Sequence, residues 1–361
     1  MLQQKRRAWR LAGCTAGMLF CGLAHAQSHV TLFGLIDGGL LYTSKTLDAA
    51  AGAGANAGKQ FSMIDGGSSY SQFGILGTED LGGGLSAKFK LESGISIANG
   101  ALAHCDGNLF GCEAWIALDS RYGEVKAGLQ FSPFFLALYA SDPRNMSFFG
   151  SGGVNLVDNL LGTSIFSANS VSYTSPTLWG LQTRLLYSLG GKPGDFQAGR
   201  QYSASVKYEY AGLMVNAAIF DGNSGAANPT PTPIHLAAEG RTLGAAFKFG
   251  AITLKASFVN YKVAGSFNNN VYGGGLSWYV TPTLDLDGGV WVTSDRNRTA
   301  NHSLLVALGA SYFLSKRTTL YAQVASVDNH GAMNTGLSVN GALYGVSGTT
   351  VGATVGVRHS F

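Results

Sequence analysis

The sequence has little charge, and this scarcity limits the classes of protein to which it can belong. Lys, Arg, Asp and Glu make up 12% of its 361 residues, about half the usual share of ~25%. Apolar types reach 46%, which excludes intrinsic disorder, because disorder needs low hydrophobicity and high net charge. Glycine, by contrast, occurs 51 times. A helical bundle is therefore disfavoured, since each glycine inside a helix costs about 1 kcal/mol.

Long apolar runs are absent after residue 27, which excludes membrane-spanning helices from the body of the chain. Such a helix needs about 20 apolar residues, and the run Leu11–Ala24 is shorter. It follows a basic segment and precedes Ala24-His25-Ala26, the pattern of a signal-peptidase site. We predict a cleaved signal peptide over residues 1–26 and one domain over residues 27–361. A lipoprotein box at Leu11–Cys14 is a weaker alternative, because no apolar run precedes it.

No excess of positive charge remains once the signal peptide is removed. It holds four of the 24 basic residues and none of the 20 acidic residues, so the remainder carries 20 of each sign. A basic surface for nucleic acid is therefore not expected. Cysteine is equally scarce, since only Cys105 and Cys112 follow residue 26. In an exported protein this pair favours a disulfide, and it is too small for a structural zinc site, which usually takes four ligands.

Apolar and polar residues alternate with a period of two in several segments, which is typical of strands with one apolar face. Examples are Tyr202–Tyr210, Ile252–Phe258, Leu284–Thr293 and Val351–Phe361. The connections between such segments alternate in length. Short links occur at 80–84, 119–123, 175–180, 211–212, 250, 281–283 and 315–317. Long loops occupy 43–70, 98–111, 131–168, 190–199, 222–240, 263–270, 295–302 and 328–348.

Seven short turns and eight long loops separate sixteen strands, and this layout is typical of one fold class. It predicts an all-β, 16-stranded antiparallel transmembrane β-barrel with short periplasmic turns and long extracellular loops. Such a sheet must close, because every backbone donor and acceptor in hydrocarbon needs a partner. The apolar faces then contact lipid, and the polar faces line a water-filled lumen.

Five segments of the sequence carry a family resemblance. They are Val30–Asp37, Gly77–Leu85, Asn169–Pro176, Tyr312–Ala322 and Val357–Phe361. In this order they resemble the trimeric general porins of Gram-negative β-proteobacteria. The resemblance implies an outer-membrane homotrimer in which each subunit is a channel for passive diffusion of small hydrophilic solutes and ions. It also implies contact with membrane lipid and lipopolysaccharide, a third loop (131–168) folded into the lumen, and a terminal Phe361 that the barrel assembly machinery reads.

The sequence departs from this family where ion selectivity is set. In the family, acidic residues on the third loop face a ladder of arginines on the opposite wall. The positions of those arginines hold Gln72, Leu76, Cys112, Leu129 and Phe166 here. We therefore predict a constriction that is less charged and more apolar than is usual in the family. Its candidate residues are the loop charges Asp142, Arg144 and Asp158, together with Phe166, while a Cys105–Cys112 disulfide clips loop two.

The polar faces of the predicted strands supply candidate residues for the pore wall. These are Asp37, Gln72, Lys88, Lys90, Glu92, Lys126, Arg184, Lys207 and Glu209. They either set ion selectivity or only keep the lumen hydrated. Arg144 has a similar alternative, because it can pair with Asp142 or Asp158 and hold the loop instead of lining the pore.

No catalytic pattern stands out in the sequence. No Gly-x-Ser-x-Gly segment follows a strand, and the glycine runs at 82–84 and 273–275 open no helix that could bind phosphate. We therefore predict a channel, not an enzyme, with no cofactor and no metal. A solute-preferring channel with an aromatic-rich constriction is an alternative within transport. An outer-membrane lipase or protease, and a soluble secreted β-sandwich or propeller, are alternatives from other classes.

Overall fold

The computed structural model describes residues 28–48, 55–157, 165–223 and 234–361, so the predicted signal peptide and the candidate Asp158 lie outside the described residues. Strands dominate. They are β1 (His29–Thr43), β2 (Gln60–Asp65), β3 (Ser71–Gly82), β4 (Leu85–Ile95), β5 (Glu113–Ser120), β6 (Gly123–Phe131), β7 (Phe166–Thr174), β8 (Leu181–Ser188), β9 (Gln201–Tyr210), β10 (Leu213–Gly222), β11 (Ala238–Phe249), β12 (Ile252–Val263), β13 (Asn268–Thr281), β14 (Leu284–Asp295), β15 (His302–Phe313), β16 (Thr318–His330), β17 (Thr335–Ser338), β18 (Ala342–Tyr344) and β19 (Gly348–Ser360).

In the described parts of the chain, helical structure occurs only in the loops. Two α-helices, α1 (Pro133–Ser141) and α2 (Gly152–Val157), lie between β6 and β7, and a 3-10 helix at Cys105–Gly107 lies between β4 and β5. Within the described ranges, no helix combines the length and the apolar composition that a membrane crossing requires.

Two strands, β2 and β3, share one position in the barrel wall. β3 pairs with residues 29–35 of β1, and β2 pairs with residues 38–43 of the same strand. β1 also pairs with β19, which closes the sheet, while β17 and β18 form a separate hairpin. The fold is a closed barrel of 16 antiparallel strands, so the predicted fold class is confirmed.

The alternation of short turns and long loops also follows the prediction, with two differences in the loops. The first loop is shorter than 43–70, because β2 lies inside it. Phe61 and Met63 alternate there with polar neighbours and are 81% and 56% exposed, so they extend the outer apolar surface. The last loop, predicted at 328–348, contains the β17–β18 hairpin.

Apolar side chains cover the outside of the barrel, whereas its buried core lies inside. Leu32 and Leu40 on the outer face of β1 are each 63% exposed, and Asp37 on the inner face is fully buried. A buried apolar cluster forms where the third loop meets the wall. It includes Phe134, Leu138 and Phe149 from the loop and Phe220, Tyr261 and Trp291 from the wall. An apolar exterior of this extent suits lipid and not water.

Candidate pore constriction

The third loop enters the lumen through α1. Ser132 caps this helix by accepting a hydrogen bond from the backbone N–H of Phe135 at 3.0 Å, and Pro133 fits the first turn, where a backbone N–H would have no partner. The face that includes Phe134 packs against β9–β12. An added Cβ at Gly240 would lie 2.6 Å from the Phe134 ring, so glycine permits this close approach. The loop thus lies in the lumen, as the resemblance implied.

Asp142 fastens the loop at the end of α1. One carboxylate oxygen accepts hydrogen bonds from the backbone N–H of Arg144 at 2.9 Å and of Met146 at 2.8 Å. The other accepts from the N–H of Gly152 at 3.0 Å and from the indole N–H of Trp291 at 3.2 Å. Burial raises the pKa of the Asp142 carboxyl above its ordinary value, against the opposing effect of these backbone hydrogen bonds and Lys255. The residue therefore organises the loop and does not face the solute path.

Arg144 joins the loop to the far wall of the barrel. Its guanidinium pairs with Asp287 on β14 and donates to the side chain of Gln323 on β16. It also donates to the carbonyl oxygens of Phe149 and Gly150, both at 2.8 Å. The side chain is only 2% exposed. Arg144 thus holds the loop against the wall, with Asp287 and not Asp142 as its partner.

A second segment, Gly66–Tyr70, also projects into the lumen; we call it the lumenal insert. It interrupts the wall between β2 and β3, and the Asp37 carboxylate holds it by accepting hydrogen bonds. The donors are the backbone N–H groups of Gly67, Ser68 and Ser69 at 3.3, 3.0 and 2.9 Å, and the Tyr321 hydroxyl at 2.6 Å. Asp37, a candidate wall residue, thus anchors the lumenal insert and is not exposed to solutes.

The lumenal insert contacts the third loop directly, so two segments build the constriction. The backbone N–H of Phe148 donates to the Ser68 carbonyl oxygen at 3.1 Å, and the Gln323 side chain donates to the Gly67 carbonyl oxygen at 3.0 Å. The sequence does not predict this role, because residues 43–70 have the composition of a single long loop. A signal for this insert is present in the sequence. Gly66-Gly67 and the serines that follow lie directly between two segments in which apolar and polar residues alternate.

The predicted wall charges on β4–β6 form an acid–base network. Lys90 pairs with Glu92 at 2.7 Å and with Glu113. Lys126 and Lys88 pair with Glu124 at 3.2 and 3.8 Å, and Lys88 also pairs with Asp119. On β9, Lys207 pairs with Glu209 at 3.2 Å. Arg184 lines a cavity of about 220 Å³ that it shares with Glu113, Glu124 and Lys126. Cations and carboxylates along this wall therefore offset one another.

A larger cavity of about 700 Å³ lies between the third loop, the lumenal insert and the far wall. Gln72 and Phe166 line it, and Phe166 is the first residue of β7, not a loop residue. Wall residues outside the predicted candidates also line it, including the charged residues Asp285, Asp287 and Arg358. They lie on the polar face of alternating segments, so the period-two pattern was the available signal.

Comparison with known proteins agrees with this architecture. The sequence matches the Gram-negative porin family over residues 13–332. The chain belongs to this family. This porin is 29% identical to an outer membrane porin protein of Bordetella pertussis, with 95% of its own length and 97% of that protein covered. It is 28% identical to outer membrane porin protein 32 of Delftia acidovorans, with 94% and 96% covered.

Solved structures of outer-membrane proteins have a similar fold. An anion-selective porin from Comamonas acidovorans has a TM-score of 0.79 and 27% identity, covering 93% of this chain and 100% of that chain. The trimer form of OmpT from Vibrio cholerae shares the fold, with a TM-score of 0.67 and 16% identity over 92% and 99% of the two chains. The porin is thus an outer-membrane channel for passive diffusion of small hydrophilic solutes and ions. The soluble alternatives were wrong.

The second loop of the porin reaches the constriction through His104. A disulfide joins Cys105 to Cys112, and the imidazole of His104 lies 2.8 Å from an Asp65 carboxylate oxygen. Its ring centroid is 5.7 Å from that of Tyr70 in the lumenal insert and 6.1 Å from that of Phe148 in the third loop. The disulfide therefore restrains Cys105, the residue next to His104. The imidazole of His104 in turn lies against both the lumenal insert and the third loop.

We expect the double substitution Cys105→Ser/Cys112→Ser to release this loop while the barrel persists. Closing a loop of this size is worth about 2–3 kcal/mol through the entropy of the unfolded chain. Limited proteolysis of the folded porin should then cut the second loop faster than in the wild type. Tyr122→Leu in a periplasmic turn is the control, and equal cleavage of all three proteins would contradict the prediction.

Phe361 lies at the seam where the barrel closes. Its backbone exchanges two hydrogen bonds with Gly34, at 3.0 and 3.2 Å. Its ring covers Gly34 so closely that an added Cβ there would lie 2.2 Å from a ring carbon. The terminal residue thus completes the pairing of β1, and its recognition by the assembly machinery stays a prediction.

Proposed function

We propose that this porin conducts small hydrophilic solutes and ions with little preference for either charge. The observation that carries the proposal is that most cations at the constriction pair with carboxylates. Arg144 in the third loop pairs with Asp287, and Lys90 on the opposite wall pairs with two glutamates. A paired cation attracts a passing anion less than a free one, because its partner repels that anion. Size exclusion at the constriction, which the third loop and the lumenal insert build together, then dominates the selection of solutes.

The porin works as a homotrimer, in line with the trimer form in which OmpT of Vibrio cholerae was solved. Outer-membrane lipid and lipopolysaccharide surround the apolar exterior, and the assembly machinery inserts the chain after removal of residues 1–26. The function needs no chemical step and no cofactor. The alternative of a solute-preferring channel is favoured by one observation, the aromatic side chains Phe131, Phe135, Tyr139 and Phe166 along the cavity.

Single-channel recording in asymmetric KCl tests the proposal directly. We expect the wild-type porin to show a reversal potential near zero, whereas a strong anion preference would contradict a balanced constriction. The comparison is informative because a structurally similar porin is anion-selective.

The substitution Gln72→Arg should create the charge preference that the wild type lacks. Gln72 lines the larger cavity, and one free cation within ~4 Å of a passing anion is worth about 1 kcal/mol in water. The permeability ratio of chloride to potassium should rise about fivefold at low ionic strength and less at high ionic strength. Gln72→Met, which adds no charge, is the matched control. A reversal potential that is unchanged in Gln72→Arg would refute the expectation.

A further inference from the structure

Four aromatic rings form a continuous row on the lumenal side of the third loop; we call it the aromatic row. The ring centroids of Phe166 and Phe131 are 4.8 Å apart, and those of Phe131 and Phe135 are 5.1 Å apart. Tyr139 continues the row at 6.4 Å from Phe135. All four rings line the cavity of about 700 Å³.

The local structure explains why these rings face the lumen. Phe131 and Phe166 are opposite each other in the register of β6 and β7. Phe135 and Tyr139 are one turn apart on α1 and so lie on one face of that helix. Another face, with Phe134 and Leu138, is buried against the barrel wall. The helix therefore presents Phe135 and Tyr139 to the cavity.

The exposure of the aromatic row increases towards the open cavity. Phe166 is 9% exposed and Tyr139 is 50% exposed, and Leu136 and Ile165 extend the apolar lining beside them. Apolar surface that stays in contact with water is unfavourable, and a solute that covers it gains that free energy. The aromatic row thus offers ring surface to a solute beside the constriction.

The opposite side of the cavity also carries stacked rings. Tyr279 on β13 and Phe313 on β15 both line the cavity, with centroids 6.1 Å apart and planes inclined by 11°. Two charged groups occur near them on the far wall. Among the described residues, Arg358 and Asp285 line the cavity without an ion pair, and the Ser277 hydroxyl donates to Asp285 at 2.8 Å. The lining therefore combines aromatic surface with one unpaired charge of each sign.

We infer that the aromatic row is a binding site for small aromatic zwitterions, molecules with a planar ring, one ammonium and one carboxylate group. The ring stacks on Phe135 and Tyr139, and the carboxylate and ammonium groups face Arg358 and Asp285. This inference rests on the proposed channel and names a solute class that the channel retains. A cavity of this volume accommodates such a molecule, because small-molecule sites commonly span 300–1,000 Å³.

Current block in a planar bilayer tests this inference on the intact porin. L-tryptophan and L-leucine carry the same charges at neutral pH, so the ring is the relevant difference between them. We expect L-tryptophan to reduce the KCl current in a concentration-dependent way, with at least fivefold higher apparent affinity than L-leucine. Phe135→Leu/Tyr139→Leu keeps apolar volume but removes two rings, and it should remove most of this difference. Tyr210→Leu, on the lipid side of β9, should not.

The outcomes separate the inference from the channel function. A porin that conducts KCl normally but is blocked equally by both amino acids overturns the inference alone. A wild-type protein without conductance overturns the proposed channel as well. If the double variant fails to insert, Tyr139→Leu alone replaces it. A preference for L-tryptophan over L-leucine that Tyr139→Leu leaves unchanged then overturns the inference.

Discussion

Arg144→Met should enlarge the open-channel conductance of the porin and make its current noisy. The substitution removes the ion pair with Asp287 and the hydrogen bonds to Gln323 and to two carbonyl oxygens. Breaking a buried pair on one side typically costs about 3–5 kcal/mol, because Asp287 is left without its partner. The third loop then leaves the far wall for part of the time, which widens the pore. Single-channel recording in KCl measures both the conductance and the noise.

The same substitution at an exposed position provides the control. Arg241 on β11 pairs with Glu239 at 3.3 Å and its side chain is 67% exposed. Exposed pairs are worth at most about 1 kcal/mol, so Arg241→Met should conduct like the wild type. If Arg144→Met and Arg241→Met give the same conductance, Arg144 does not hold the third loop.

Asp37→Asn should loosen the lumenal insert and admit larger solutes. An amide has a single acceptor oxygen, so it cannot serve all four donors that the carboxylate serves now. Each lost hydrogen bond to a charged group costs about 1.5–3 kcal/mol. Swelling of porin-containing liposomes in a series of sugars of increasing size should show a higher size limit than in the wild type.

Asp285→Asn separates the effect of the insert from the effect of charge. It also removes one negative charge from the lumenal wall, but Asp285 accepts a hydrogen bond from Ser277 and none from the lumenal insert. An amide can still accept that bond, so we expect the wild-type size limit. If Asp37→Asn and Asp285→Asn raise the size limit for sugars equally, then lumenal charge, and not the lumenal insert, controls that limit.

The barrel could be predicted from the sequence because its signals are local. Period-two alternation, as in Leu284–Thr293, and the lengths of the connections are visible within short windows. They fix the number of strands and the faces that meet lipid. The wall strand that the pattern does not predict, β2, is short, at six residues, and the glycines that follow it favour a loop.

The constriction could not be predicted in the same way, because its contacts connect distant parts of the chain. Arg144 is 143 residues from Asp287 and 179 residues from Gln323, and no local pattern encodes such a pairing. Asp37 likewise reaches Tyr321 across 284 residues. Of these residues, only Asp37 and Arg144 can be identified from the sequence as candidate lumenal residues. The sequence could not distinguish an anchor from a residue that solutes meet, since that depends on burial.

The attachment of the third loop at both of its sides has a mechanical consequence. Through α1 the loop is bound to β9–β12, and through Arg144 it is bound to β14 and β16. It therefore acts as an internal strut that opposes flattening of the barrel cross-section under lateral pressure from the bilayer. Bore diameter and barrel stiffness are coupled as a result, and a variant selected for a wider bore should also be the more deformable one.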